Sequence, residues 1–115
     1  MPRRVAIVLA SCVLVAAMAG CVKNVTIGQI LADPGRYYGK TVKVEGRVSD
    51  GYQAAGINIY KIEADDAGLW VLSYKSEAPA NGLTIVVKGR VNKATVLAGV
   101  PLPTHLVEDS REAAK

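Results

Sequence analysis

From Thr41 the chain alternates: Val42, Val44, Gly46 and Val48 are separated by Lys43, Glu45 and Arg47, a period of two that puts one strand face inside and the other in water. This predicts a half-buried first strand. Gly51 and Gly56 bracket a predicted loop, residues 57–63 read as a second strand, and residues 65–68 (Asp-Asp-Ala-Gly) read as a turn. A third strand over 69–75 should close a hairpin with the second. Pro79, Asn81 and Gly82 break the chain before a fourth strand at 83–91, and a fifth is expected over 105–108, entered through Pro101 and Pro103. Ahead of the strands, Thr26 is placed to cap a short helix whose Ile27, Ile30 and Leu31 fall on one side; Asp33-Pro34-Gly35 ends it. That helical turn is expected to pack on the end of a barrel.

The chain also echoes itself. Val42-Lys43-Val44-Glu45-Gly46-Arg47-Val48 matches Ile85-Val86-Val87-Lys88-Gly89-Arg90-Val91 in the order β-branched, any, valine, charged, glycine, arginine, valine. A glycine inside a strong strand marks a bulge or sharp bend, which a small closed barrel needs at its corners. The first and fourth strands are therefore expected to bend alike; in a five-stranded Greek-key barrel of the OB type, which the pattern resembles, they would lie side by side.

The N-terminus has a different character. Arg3 and Arg4 precede an apolar run, residues 5–18, interrupted only by Ser11 and closed by Ala19-Gly20-Cys21. These are the charged, apolar and small-residue regions of a signal peptide. As a helix the run would reach about 21 Å, short of the roughly 30 Å hydrocarbon core, so cleavage is expected rather than a permanent span. Met18-Ala19-Gly20-Cys21 resembles the lipobox of bacterial lipoproteins, with Met18 where leucine is usual. The resemblance implies cleavage before Cys21, a diacylglyceryl group on its thiol and palmitate-type acylation; an ordinary secretory signal with a chance cysteine is the alternative. Val22 stands where aspartate would imply inner-membrane retention, so the resemblance implies an outer-membrane protein facing the periplasm if the host is Gram-negative. The expected organisation is a signal peptide at 1–20, a lipidated tether at 21–25, a barrel domain at 26–108 and a polar, fraying tail at 109–115.

Cleavage changes the charge. Removing Arg3 and Arg4 from the 14 basic residues leaves 12 against 10 acidic ones, a net charge of +2. Cys12 would leave with the signal and Cys21 would be acylated, so neither a disulfide nor a thiolate metal site is available. About 95 residues suffice for one small domain, which must be held by its packed core.

Taken together, the strand carrying Gly46, the segment Tyr60-Lys61-Ile62-Glu63 with its acidic glycine turn, Leu69-Trp70-Val71, and the strand carrying Gly89 resemble an OB-fold domain. The pattern is similar to secreted bacterial OB-fold families and, at Asp66-Ala67-Gly68-Leu69, to the anticodon-binding type. The resemblance implies an all-β fold: a small five-stranded Greek-key barrel with a short N-terminal helix. Residues 76–82 are too few for the helix many such folds carry between strands three and four. Either the N-terminal helix covers that barrel end or the end is open.

The residues offer little for catalysis. His105, the single histidine, lacks metal-binding companions and is expected to be structural or exposed. Glu63, Asp65 and Asp66 lack the spacing of a calcium loop. No cofactor or metal is expected, and no enzymatic activity. The candidate binding residues are aromatic and basic. Tyr52, Tyr60, Trp70 and Tyr74 fall on strands two and three or the adjoining loop, where OB folds take oligonucleotides or oligosaccharides. Alternation groups Trp70, Leu72 and Tyr74 on one face and Leu69, Val71 and Ser73 on the other, and leaves open which is core. Lys43, Arg47, Lys88 and Arg90 would form a basic stripe on strands one and four, or simply a solvated face. The expected partners are the membrane, through lipid on Cys21, and an envelope protein or glycan; single-stranded nucleic acid is the alternative, and a small hydrolase or metal protein using His105 a third.

Overall fold

The computed structural model describes residues 22–54, 56–97 and 99–114; the expected signal peptide and Cys21 lie outside the described residues. A short strand β1 (Lys23–Asn24) leads to helix α1 (Ile27–Ala32) and a 3₁₀ turn at Pro34–Arg36. The barrel strands are β2 (Thr41–Ala54), β3 (Ile57–Ala64), β4 (Ala67–Ser73), β5 (Thr84–Asn92) and β8 (His105–Ala113), with the small hairpin β6 (Thr95–Leu97) and β7 (Val100–Leu102) inserted between the last two.

The sheet runs β2-β3-β4-β8-β5 and returns to β2, so the barrel is closed. Neighbouring barrel strands are antiparallel except β4 and β8. Closure falls on β2, which pairs with β5 from Thr41 to Arg47 and with β3 from Arg47 onward. Arg47 has partners on both sides, Thr84 and Glu63. Just before this switch sits Gly46, where a Cβ would lie 2.8 Å from Cβ of Ile62. Gly89 is as tightly enclosed: a Cβ there would lie 2.6 Å from the Val107 carbonyl oxygen. The repeated glycine therefore has the bending role its position predicts.

Inward positions of all five barrel strands, among them Val44, Ile62, Val71, Val87 and Leu106, form the main core and are fully buried. Ile27 and Ile30 of α1 join them. Six residues cannot hold a helix alone in water. Here Thr26 and Gln29 close a reciprocal capping box, the Gln29 N–H donating to Thr26 Oγ1 at 3.0 Å and the Thr26 N–H to Gln29 Oε1 at 2.9 Å. Burial of two isoleucines adds roughly 2 kcal/mol each. The helix thus covers the core, as one of the two expected arrangements required.

Four local expectations are corrected. The first part of the expected loop is strand, since β2 continues through Gly51 to Ala54 across a bulge between Ser49 and Tyr52. The turn into β4 is only Asp65-Asp66, both with positive φ (49° and 63°), the geometry that joins two strands directly. Residues 23–25 are not a free tether: Lys23 and Asn24 pair in parallel with Val42 and Lys43, and the Val25 N–H donates to the Lys43 carbonyl at 2.9 Å. The polar tail does not fray at Asp109, because β8 stays paired with β5 as far as Ala113 opposite Ile85.

Gly46→Ala and Gly89→Ala should each destabilise the barrel by about 1–3 kcal/mol, since the added carbon meets backbone or a branched Cβ that cannot swing away. Urea unfolding of both variants checks this, with Gly35→Ala, where the added carbon meets nothing within 4 Å, as the control.

Candidate binding surface

The inward face of β4 carries Leu69, Val71 and Ser73, so Trp70 and Leu72 belong to the outer wall. Trp70 lies opposite Lys61 on β3, and the Lys61 ammonium stands 5.8 Å from the indole centroid. Tyr52 meets Trp70 edge to face, with centroids 6.0 Å apart and planes at 78°. The β2 bulge creates that contact. From Ser49 to Tyr52 the strand spends one residue more than its partner does from Lys61 to Ile59, which reverses the alternation and brings Tyr52 to the outer wall. The Ser49 hydroxyl beside it is buried without a hydrogen-bond partner. Lys61 also lines a neighbouring shallow cleft of mixed charge, which it shares with Arg47, Glu63, Asp65 and Asp66.

Part of the same wall is already covered. Leu97 and Leu102 of the β6–β7 hairpin pack on Ile59 and Leu72, a second small core outside the barrel. This hairpin has no counterpart in the expected architecture. On its far side a groove of about 470 Å³ is lined by Tyr74, His105 and Lys93, among others, and Tyr74 is 57% exposed. His105 is 2% exposed beneath the hairpin, its Nδ1 2.9 Å from the Pro103 carbonyl. Of the structural and exposed roles expected for it, the buried one is found.

Tyr60 is a correction. It points into the barrel, is fully buried, and donates to Glu108 Oε1 at 2.5 Å, so it presents no ring to a ligand. Glu108 also accepts from Ser73 Oγ at 3.1 Å and from Arg111 Nη1 at 3.0 Å, while Arg111 donates a further bond to the Glu77 carbonyl. A second bulge makes this possible: Lys88 pairs with Ser110 but Gly89 with Glu108, leaving Asp109 as the extra residue. Arg111 consequently falls opposite the buried Val87, on the side of Glu108. Burial pushes the Tyr60 phenol far above its ordinary value, and the hydrogen bond and charge of Glu108 push it further, against a smaller opposing effect of Arg111.

Lys43, Arg47, Lys88 and Arg90 do lie on the outer side of β2 and β5, where Lys43 faces Lys88 and Arg90 faces Thr41. The stripe is interrupted, with Glu45 beside it, Asp109 in the cleft that Arg90 lines and Glu112 in the cleft of Lys43 and Lys88. Among the basic four, only Arg47 also reaches the cleft beside the aromatic wall. No group of three His, Cys, Asp or Glu side chains that could hold a metal ion is formed among the described residues. Sequence reasoning missed Lys61, Ser73, Glu108 and Arg111. Lys61 was recoverable from its alternation with Tyr60 and Ile62, and Ser73 and Glu108 from sharing a face with Val71 and Leu106; Arg111 alone depends on a bulge that leaves no compositional trace.

The five barrel strands follow the order 1-2-3-5-4-1 with a parallel third and fifth pair. The fold is an OB fold. It is similar to a putative aspartyl-tRNA synthetase from Leishmania major Friedlin (TM-score 0.63, 12% identity, 82% of this chain and 21% of the other). It is also similar to asparaginyl-tRNA synthetase from Pyrococcus horikoshii (TM-score 0.53, 15% identity, 68% of this chain and 20% of the other) and to the S. pombe Stn1-ten1 complex (TM-score 0.52, 13% identity, 65% and 58%). The chain thus spans about a fifth of the two synthetases and over half of the third chain. No protein-family model and no curated protein sequence matches the chain.

Tyr60→Phe leaves Glu108 one donor short inside the wall and should cost about 1–3 kcal/mol at neutral pH. A phenol whose folded value is raised contributes its full stability below the unfolded value near 10 and loses it as pH rises beyond that point. Above about pH 10 the stability gap between wild type and Tyr60→Phe should narrow by about 1.4 kcal/mol per pH unit, read by urea unfolding across that range.

Proposed function

We propose that this chain is a non-catalytic OB-fold binding module, held by lipid on Cys21 in a bacterial cell envelope, which engages an envelope protein or glycan through the Tyr52–Trp70 wall of β2, β3 and β4. In a Gram-negative host its place is the periplasmic face of the outer membrane. The observation that carries the binding reading is the edge-to-face pair itself, with the Lys61 ammonium over the indole and charges of both signs in the cleft that Lys61 lines. Aromatic rings with mixed polar neighbours suit sugar rings and protein surfaces. The placement in the envelope follows from residues 1–21 of the sequence.

A second reading, single-stranded nucleic-acid binding, draws on the two tRNA synthetases among the structural neighbours. Such a site joins stacking rings to a basic groove along the backbone path. In this barrel Lys43, Lys88 and Arg90 sit on β2 and β5 while Trp70 sits on β4, and the acidic Glu63, Asp65 and Asp66 adjoin the aromatic wall. The first reading is therefore favoured.

A photo-crosslinking residue at Tyr52 in the membrane-anchored chain tests it. Adducts with an envelope protein or with glycan are expected, with Trp70→Ala weakening capture by about 2 kcal/mol of binding. Nucleic-acid adducts, or capture indifferent to Trp70→Ala, would sink the reading. Because Trp70 is the single tryptophan, titration with a short oligothymidylate gives an independent check: its fluorescence should stay unchanged at about 0.15 M salt. Cys21→Ser should move the chain from the membrane to the soluble fraction after a high-salt wash, and persistent retention would count against the anchor.

A further inference from the structure

Beside β1 the barrel end opens into a groove of about 560 Å³ bounded by Val22, Lys23, Asn24, Arg36, Tyr37 and Lys40, together with α1 and the start of β2. Lys23, Arg36 and Lys40 are exposed, and no carboxylate lines the groove. Asp33, the nearest acid in sequence, precedes the 3₁₀ turn without lining it. None of the three cations forms an ion pair with a described residue. On this barrel that makes the groove unlike the stripe on β2 and β5 and unlike the cleft at Arg47, both of which carry acids.

The scaffold under these cations is fixed. Lys23 is paired to Val42. The Tyr37 N–H donates to the Pro34 carbonyl and the Lys40 N–H to the Tyr37 carbonyl, each at 2.9 Å. The Lys40 carbonyl in turn accepts from Val91 at 3.0 Å. Tyr37 is half-buried and packs against the core. Val22, the residue after Cys21, lines this groove.

We propose that this end of the barrel is a bilayer-docking surface, in which Lys23, Arg36 and Lys40 meet the phosphates of anionic phospholipids with Tyr37 at the level of the headgroups. Clustered Lys and Arg are drawn to an anionic leaflet, and the attraction fades within about 10 Å, so position matters as much as charge. Tyrosine, with an apolar ring and a polar tip, suits the membrane interface. The groove shares none of these residues with the Tyr52–Trp70 wall, which leaves that wall free while the groove is occupied. The orientation so imposed rests on reading Cys21 as the lipid anchor; the charge-driven affinity does not.

The test uses the chain beginning at Cys21, its thiol blocked and no lipid attached, with retained far-UV circular dichroism confirming the barrel. Co-sedimentation is measured with vesicles of phosphatidylcholine alone and of phosphatidylcholine with phosphatidylglycerol. Partitioning into the anionic vesicles only is expected, falling with salt. Lys23→Gln, Arg36→Gln and Lys40→Gln should each lower it about fivefold, and the triple variant on the order of a hundredfold. Lys75→Gln, on an exposed residue beyond β4, should change it little. Equal binding to neutral vesicles, a triple variant that partitions like wild type, or displacement by oligothymidylate at equal phosphate concentration would overturn the proposal. If native protein proves unacylated while the vesicle series behaves as expected, the anchor reading alone fails; if it is acylated and the series is flat, this inference alone fails.

Discussion

The barrel depends on one strand serving two partners. β2 hydrogen-bonds β5 along its first half and β3 along its second, and the exchange happens at Gly46 and Arg47. A sheet closes on itself this way only if the shared strand coils sharply, and coiling brings its backbone against the neighbour where a side chain would otherwise stand. That is why a residue without Cβ stands at a position where a Cβ would lie 2.8 Å from that of Ile62.

Two bulges then decide which side chains face which environment. In β2 the extra residue carries Tyr52 to the outside, beside Trp70; in β8 the extra Asp109 carries Arg111 to the side of Glu108. Without the first, the aromatic wall would hold Trp70 alone. Without the second, Ser110 would stand opposite Val87, and the Glu108 carboxylate would lose its guanidinium. A buried carboxylate left in that condition is costly, so the polar cluster of Tyr60, Ser73, Glu108 and Arg111 is tied to the bulge as a unit.

This explains what the sequence disclosed. The strict alternation of Val42 to Val48, the matched Gly46 and Gly89 segments, the Thr26 cap and the Asp65-Asp66 turn are local signals, and each corresponds to an element at or near its expected place. Tyr60 and Trp70 are both aromatic, and only the strand face each occupies separates a core ring from a surface one. The β6–β7 hairpin went unseen because Val96-Leu97-Ala98-Gly99-Val100-Pro101-Leu102 is apolar throughout and shows no period. The end of β8 reads as a tail because Asp109, Ser110, Arg111 and Glu112 carry no apolar rhythm.

The hairpin over Ile59 and Leu72 has a thermodynamic consequence. Being part of the same chain, Leu97 and Leu102 meet that patch at an effective concentration in the millimolar range or above, as tethered groups do. An incoming molecule that needed the same patch would have to compete against a resident that never diffuses away, and its apparent affinity would be discounted accordingly. Trp70 packs at the edge of the same cluster, whereas Tyr52 lies outside it and is 40% exposed, so the discount touches the first ring and spares the second.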